Sequence, residues 1–122
     1  MSRTKGDLVN YRIQRAYDTL DAAKTLAESG HWNGVANRLY YACFYAVLAL
    51  MTQTNIRIKS HSGAEAMFEL HFIKAGKVEP SWGKLYTRLS GARHESDYAA
   101  FSTFEEDDIL PLLPQTKEFI GV

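Results

Sequence analysis

The chain has 122 residues, of which 46% are hydrophobic, and its fourteen basic residues are balanced by fourteen acidic ones. That length and apolar content suit a single domain over residues 1–122 and are too small for two. A formal charge of zero gives no global reason to expect wrapping of nucleic acid or binding to an anionic membrane. Any contact with phosphate must therefore be local.

Cysteine content and hydropathy favour a reducing, cytoplasmic setting. The single cysteine, Cys43, has no partner in the chain for a disulfide and lies inside an apolar run. The longest apolar run, Leu39 to Met51, has thirteen residues, whereas a membrane span needs roughly eighteen or more. The N-terminus shows no apolar signal segment. We therefore expect a protein that does not enter a membrane.

The spacing of apolar residues predicts two helices in the first half of the chain. From Asp7 to Ser29 they recur on one helix face, and Gly30 follows where a C-terminal cap belongs. The next segment, Asn33 to about Thr54, is apolar on every side, and such a helix must be covered all round. Because so small a protein has few other helices, we expect part of helix two to meet a second copy of the chain. This predicts a homodimer.

Two more helices follow in the middle of the chain. Ser60 fits the N-cap of helix three, which runs to Gly76. Glu79-Pro80-Ser81 opens helix four, since proline is favoured in a first turn. Helix four carries apolar residues on one face through Ala92, with Ala99 as a candidate extension.

Helix five is predicted from its capping residues and its prolines. Ser102-Thr103-Phe104-Glu105 fits a capping box. Pro111 and Pro114 should kink the helix or split it into two short pieces before Gln115 to Ile120, because an interior proline costs about 3 kcal/mol. No strand alternation or internal repeat appears. The predicted fold class is therefore all-α, a four- to five-helix up-and-down bundle.

The end of helix four, from Arg93 to Tyr98, concentrates the reactive side chains: a guanidinium, an imidazole, two carboxylates and a phenol. At about 100° per residue, Arg93 and Asp97 flank the core-facing stripe, while His94 and Tyr98 point further toward solvent or a partner. A carboxylate one turn after an arginine can fix the guanidinium in one orientation. This arrangement would hold Arg93 ready for a phosphate.

Three ordered motifs make the chain similar to one known family: Leu39-Tyr40-Tyr41-Ala42-Cys43-Phe44-Tyr45-Ala46, then Lys59-Ser60-His61-Ser62-Gly63, then Arg93 followed by Asp97-Tyr98. Together they resemble the HEPN family (higher eukaryotes and prokaryotes nucleotide-binding domain), in particular its small bacterial and archaeal members, from Trp32 through helix five. The resemblance implies a HEPN-like bundle that pairs as a dimer. It also implies contact with RNA or nucleotides, since many members are metal-independent ribonucleases, often toxins encoded beside a minimal nucleotidyltransferase.

The catalytic signature of those ribonucleases is an arginine, four to six residues, and then a histidine, followed in some by a tyrosine that the partner enzyme modifies with AMP. Arg88 and His94 fit this spacing with five intervening residues, but they lie about 120° apart around the helix and would not converge without help from another chain. At Arg93 the sequence departs from the signature. Asp97-Tyr98 follows Arg93 where an active relative would show His and then Tyr, and the nearby imidazole, His94, is adjacent to the arginine.

Metal-free RNA cleavage requires a base for the 2′-hydroxyl, an acid for the leaving 5′-oxygen and a cation for the developing phosphorane. Arg93 would supply the cation, Asp97 a weak base and His94 the acid. In a two-fold symmetric dimer, the second subunit would place the same three residues on the other side of a shared cleft. In the alternative, Arg93 and Asp97 form an ion pair that locks helix four to the bundle, and His94 is merely exposed. The sequence leaves both interpretations open.

Further contacts to nucleotide or RNA are predicted near the start of helix three and at Tyr98. Arg57, Lys59 and backbone amides would receive a phosphate beside His61, a solvated helix start being the alternative. Tyr98 is the candidate for modification by a nucleotidyltransferase. Three aromatic residues of helix two can stack on bases but more often form core or dimer interface: Tyr40, Tyr41 and Tyr45.

No metal site or cofactor is predicted. The four histidines lack any i,i+4 or short cysteine-histidine spacing, and no glycine-rich phosphate loop is present. Two hypotheses about function follow. In the first, the chain is an RNA- or nucleotide-interacting protein, either a metal-independent ribonuclease or part of a toxin-antitoxin-like module with a nucleotidyltransferase. In the second, it is a non-catalytic dimeric helical interaction module.

Overall fold

The computed structural model describes residues 4–98 and 104–121, and for residues 96–98 it describes the backbone alone. Within these ranges all regular structure is helical, which confirms the all-α prediction. The helical segments are α1 (Lys5–Glu28), α2 (Trp32–Gln53), α3 (His61–Phe68) continuing into a π-helical turn (Glu69–Ile73), α4 (Pro80–Tyr98), α5 (Glu106–Ile109) and α6 (Leu112–Gly121).

A residue with positive φ follows α1, α2 and the π-helical turn. These residues are Gly30, Asn55 and Gly76, with φ between 61° and 75°. In each case the next amide bonds to the carbonyl five positions before it, which is the Schellman arrangement. It satisfies carbonyl groups that have no partner within the helix. Glycine at position 30 avoids the steric cost of a Cβ at positive φ, so the predicted cap is confirmed.

α2 is the central helix of the bundle and contacts each of the other five α-helices. It is long and apolar enough to pass for a membrane span by length and composition, but half of its most apolar window is buried inside the structure. Burial of this kind is typical of the core helix of a helical bundle. Its buried residues are Val35, Ala36, Leu39, Tyr40, Ala42, Cys43, Val47, Ala49 and Met51.

The other helices cover more of α2 than the sequence led us to expect. One face stays only half-buried, and we name it the α2 stripe: Arg38, Tyr41, Phe44, Tyr45 and Leu48. The argument for a covering second copy therefore applies to this stripe and not to the whole helix. The homodimer stays a prediction.

The predicted third helix begins at its expected cap but is not regular throughout. The hydroxyl of Ser60 accepts from the amide of Gly63 at 2.9 Å, which confirms the N-cap. After Phe68 the helix widens into the π-helical turn, which packs closely against α4 at Gly83. A Cβ at position 83 would lie 3.1 Å from Glu69 Oε2 and 3.2 Å from Ile73 Cγ1. Glycine thus permits the close approach of α4.

The prolines divide the last helix as predicted. α5 ends at Ile109, the chain turns at Leu110 and Pro111, and α6 carries Pro114 in its first turn. Proline is tolerated there because first-turn amides lack partners within the helix.

The predicted capping box of this helix is in the wrong place. Phe104 and Glu105 are not helical, and the box joins Glu105 to Asp108, with the Glu105 amide donating to Asp108 Oδ2 at 3.0 Å. Acidic side chains can fill both positions because each accepts from a backbone amide. Ser102 and Thr103, like the candidate extension at Ala99, lie outside the described residues.

Replacing a buried leucine of α2 should cost far more stability than replacing an exposed one. Leu39 is fully buried and Leu70 is 52% exposed. We expect Leu39→Ala to lower the free energy of unfolding by about 2–5 kcal/mol, through lost burial and the cavity left behind. Leu70→Ala should change it by less than about 0.5 kcal/mol. Urea denaturation at one fixed protein concentration measures both, and equal losses would contradict the central position of α2.

Candidate functional site

Three separate segments place side chains around Tyr40 of α2. Arg93 comes from α4, His61 from the first position of α3, and Tyr41 and Phe44 from α2 itself. We call these five residues the Arg93 cluster. The sequence had predicted Arg93 and His61 as parts of two different sites, and the structure brings them to one.

Tyr40 joins the two halves of the Arg93 cluster. Its ring is 1% exposed, and the guanidinium carbon of Arg93 lies 4.9 Å from its centroid. Its hydroxyl is 2.9 Å from Nδ1 of His61. Burial raises the pKa of Tyr40, against an opposing effect of the Arg93 charge. The phenol therefore keeps its proton at neutral pH and can either donate to or accept from the imidazole.

The imidazole of His61 is held between aromatic rings. It stacks on Phe44 with centroids 4.3 Å apart and an angle of 28°, and it meets Tyr41 edge-on at 5.6 Å. Burial lowers the pKa of His61, and the positive charge of Arg93 lowers it further. The ring is therefore neutral at physiological pH. A neutral imidazole has one nitrogen able to accept a proton, which is the state a general base needs.

The local sequence around His61 explains its position. The Ser60 hydroxyl caps the amide of Gly63, and this fixes the first turn of α3. A Cβ at position 63 would lie only 2.9 Å from that hydroxyl oxygen. Glycine thus leaves room for the cap, and the cap places His61 at the start of the helix, facing α2.

Helix α4 sets the position of Arg93 through its buried face. Leu85, Tyr86 and Leu89 are buried, and Arg93 is half-buried at the border of that face. The guanidinium carbon also lies 6.0 Å from the centroid of Tyr41. The helical phasing derived from the sequence is confirmed for Arg93 and for His94, which is exposed. Cation–π contact holds the guanidinium against the rings.

The remaining predicted site residues do not join the cluster in the described part of the chain. Arg57 and Lys59 are exposed on the segment between α2 and α3. The side chains of Asp97 and Tyr98 lie outside the described residues. The structure therefore does not test the Arg93–Asp97 pair. Nor do the described residues contain a group of three or more side chains suited to a metal ion.

Sequence reasoning did not name Phe44 as a member of the site. For Tyr40 it left base stacking open but favoured core or interface, and the ring is indeed buried. A buried tyrosine usually finds a hydrogen-bond partner, so a polar neighbour could have been expected. The identity of that neighbour, His61, depends on how α3 packs on α2 and is not readable from local spacing.

The electrostatic contact between Arg93 and His61 can be tested by titration. We expect the pKa of His61, followed by its Cε1–H resonance, to lie below the ordinary 6.5 and to rise in Arg93→Gln. The unfolded chain then binds a proton more readily than the folded one. The free energy of unfolding should therefore fall as pH drops from 6.5 to the pKa that His61 has in the folded chain. Arg88→Gln, an exposed arginine of α4, is the matched control, and an equal rise there would contradict the contact.

Comparison with known proteins agrees with this architecture. Residues 9–122 match the model of the HEPN domain. A protein of Thermotoga maritima named "UPF0332 protein" is 34% identical over 116 residues, which cover 95% of this chain and 88% of that protein. A protein of Methanocaldococcus jannaschii named "Putative toxin MJ0605" is 34% identical over 95 residues, which cover 78% of this chain and 71% of that protein. A second one from that organism, "Putative toxin MJ0142", is 29% identical over 109 residues, covering 89% and 74%. With almost its whole length matched, the chain belongs to the HEPN family.

Proposed function

We propose that this HEPN protein binds RNA or a nucleotide at the Arg93 cluster. The observation that carries the proposal is the convergence on Tyr40: the Arg93 guanidinium lies over its ring at 4.9 Å and His61 contacts its hydroxyl at 2.9 Å. A cation, a neutral imidazole and half-exposed aromatic faces are the groups that a phosphate, a ribose hydroxyl and a base require.

Each part of a nucleotide has a partner in the cluster. The guanidinium offers a planar fork of N–H donors that matches the oxygens of a phosphate. Tyr41 and Phe44 are half-buried. Phe44 stacks on His61 and Tyr41 lies beneath Arg38, so a base would stack on the parts of the two rings that stay exposed. Stacking of a base on an aromatic side chain contributes roughly 1–3 kcal/mol and tolerates any base. The proposal therefore favours single-stranded RNA, whose bases are free to stack.

Metal-independent cleavage of the bound RNA is the chemical step that these groups would support. His61 accepts the proton of the 2′-hydroxyl on Nε2 while its Nδ1–H donates to the Tyr40 oxygen. The 2′-oxygen attacks phosphorus, the bond to the 5′-oxygen breaks, and a 2′,3′-cyclic phosphate forms. Arg93 stabilises the phosphorane charge, and His94, exposed on α4, protonates the leaving oxygen. In this scheme His61 replaces Asp97 as the base.

We also propose that the protein acts in a toxin-antitoxin-like module with a nucleotidyltransferase. The support is the family membership together with two relatives whose names include the word toxin. Tyr98 is then the candidate for modification by the partner, and Lys59, exposed just before α3, is a candidate contact to RNA.

Substitution of Arg93 should weaken RNA binding and cleavage. We expect Arg93→Ala to lower the affinity for single-stranded RNA about tenfold and the cleavage rate in EDTA by a factor on the order of 10²–10³, since it removes the phosphorane cation. Fluorescence anisotropy and product analysis measure the two effects. Arg93 packs on Tyr40, so Arg93→Ala also removes a packing contact. Arg93→Lys keeps a positive charge at this position but loses the planar fork of N–H donors, and it therefore separates the two effects.

Two controls sharpen the result. Arg88→Ala removes an exposed arginine from the same helix and should leave binding and cleavage unchanged. His61→Gln should abolish cleavage and retain RNA binding. If Arg93→Ala and Arg88→Ala bind RNA equally well, the proposed site is wrong. If the wild-type protein binds RNA without cleaving it, binding survives and the ribonuclease step fails.

A non-catalytic dimeric interaction module is the second candidate, and the α2 stripe favours it. Two tyrosines of the stripe lie under arginines: Arg15 over Tyr45 at 4.7 Å and Arg38 over Tyr41 at 5.0 Å. Aromatic residues and arginine are enriched at protein interfaces. A second copy seated on this stripe would form the homodimer through helix two.

Light scattering after gel filtration tests the dimer. We expect twice the chain mass of 13.8 kDa at micromolar concentration. Leu48→Lys, which places a charge in the stripe, should yield the monomer because an unpaired charge is costly to bury. Leu70→Lys, at an exposed leucine outside the stripe, should stay dimeric. A wild-type protein that is only monomeric at that concentration would exclude the predicted interface.

A further inference from the structure

A polar pocket lies at the C-terminal end of α2, separate from the Arg93 cluster. It has a volume of about 340 Å³ and opens between α1, the end of α2 and the segment that follows it. Two arginines line it, Arg12 and Arg57, together with Thr52 and Asn55 and with apolar side chains. None of its lining residues is acidic. In a chain of zero net charge, this is a local concentration of positive charge.

Arg12 is held in place before any ligand arrives. Its Nη1 donates to the Thr52 hydroxyl and, at 3.5 Å, to the carbonyl of Leu48. The Thr52 hydroxyl donates in turn to the same carbonyl at 2.8 Å. A guanidinium has five N–H donors, and the bonds described for Arg12 use Nη1 alone. The other edge of its fork remains for a ligand in the pocket.

Capping of α2 does not account for the charge at this end. A helix C-terminus carries about half a negative charge. Arg12 and Lys5, whose Nζ donates to the Gln53 carbonyl at 3.2 Å, already bring two positive charges to it. Arg57 adds a third, is exposed, and makes no hydrogen bond or ion pair with the described residues. Asp7, which lines the neighbouring pocket with Lys5, Thr52 and Asn55, offsets one of these charges. The remaining excess of positive charge favours an anion.

The pocket lies within reach of the Arg93 cluster. Arg57 precedes His61 by four residues, which span at most about 14 Å. Along α2, Phe44 and Thr52 are eight residues apart, or about 12 Å. The α2 stripe runs between the two sites and presents Tyr45 beneath Arg15. An aromatic ring covered by a guanidinium, between two cationic sites, fits a path of single-stranded nucleic acid, because bases stack on aromatic rings and on arginine planes.

We propose that Arg12 and Arg57 form a phosphate-binding subsite for a neighbouring phosphodiester of an RNA strand held at the Arg93 cluster. The subsite rests on the proposed function and extends it: the ligand is a strand of several nucleotides and not a mononucleotide.

The number of phosphate contacts can be counted from salt dependence. The probe is a fluorescein-labelled single-stranded RNA of about twelve nucleotides, compared with a uridine dinucleotide too short to span both sites. Arg57→Ala should weaken binding of the longer RNA about fivefold and reduce the slope of log affinity against log salt by about 0.7, the value for one lost phosphate contact on a single strand. Dinucleotide binding should not change. Arg88→Ala, the matched exposed arginine, should alter neither quantity.

A second measurement tests the subsite without RNA. Inorganic phosphate is titrated while the Nε–Hε resonances of Arg12 and Arg57 are followed by NMR. Saturable shifts are expected in the wild type, and weaker binding is expected in Arg57→Ala and in Arg12→Lys, which keeps the charge and loses the fork. Arg12→Lys also guards against misfolding, since Arg12 joins α1 to α2.

The outcomes separate the two proposals. RNA binding with an unchanged salt slope in Arg57→Ala overturns the subsite and leaves the proposed function standing. Saturable phosphate binding at Arg12 and Arg57 without any RNA binding supports the anion pocket and overturns the proposed function. Absence of both overturns both.

Discussion

A helix with a long apolar run has to be covered over most of its surface, and this requirement arranges the rest of the protein. α2 contacts every other α-helix of the bundle, and each large apolar side chain that it buries contributes roughly 1.5–3 kcal/mol. The buried Cys43 belongs to the same core, where burial raises the pKa of its thiol and keeps it protonated. The Schellman turns and proline breaks let the chain reverse direction often enough to lay five other helices against one.

The candidate site lies where this enclosure ends. Tyr40 belongs to the buried face of α2, whereas Tyr41 and Phe44 lie at its half-buried edge. His61 and Arg93 reach that edge from α3 and α4 because both helices pack on α2. The cluster therefore needs no dedicated scaffold. Its geometry follows from core packing, and its electrostatics follow from placing a guanidinium against rings that exclude water.

The sequence predicted the helices well because each signal for them is local. The cap at Ser60, the glycine at position 30 and the break at Pro111 act within a few residues of themselves. The π-helical turn was not predicted. It packs against α4 at Gly83, a contact between residues that are distant in the sequence. The sequence did not predict that Arg93 and His61 lie in one site, since Tyr40 joins them and its contacts also depend on the packing of distant segments. Long-range packing decides both features.

Tyr40 has a consequence for how this family can vary. Its ring fills the core and supports Arg93, while its hydroxyl contacts His61. A phenylalanine there would keep the volume and release the imidazole, and an aliphatic residue would remove the support for both partners. Neighbours that share one side chain in this way are energetically coupled. Substitutions at positions 40, 61 and 93 should therefore be correlated among relatives.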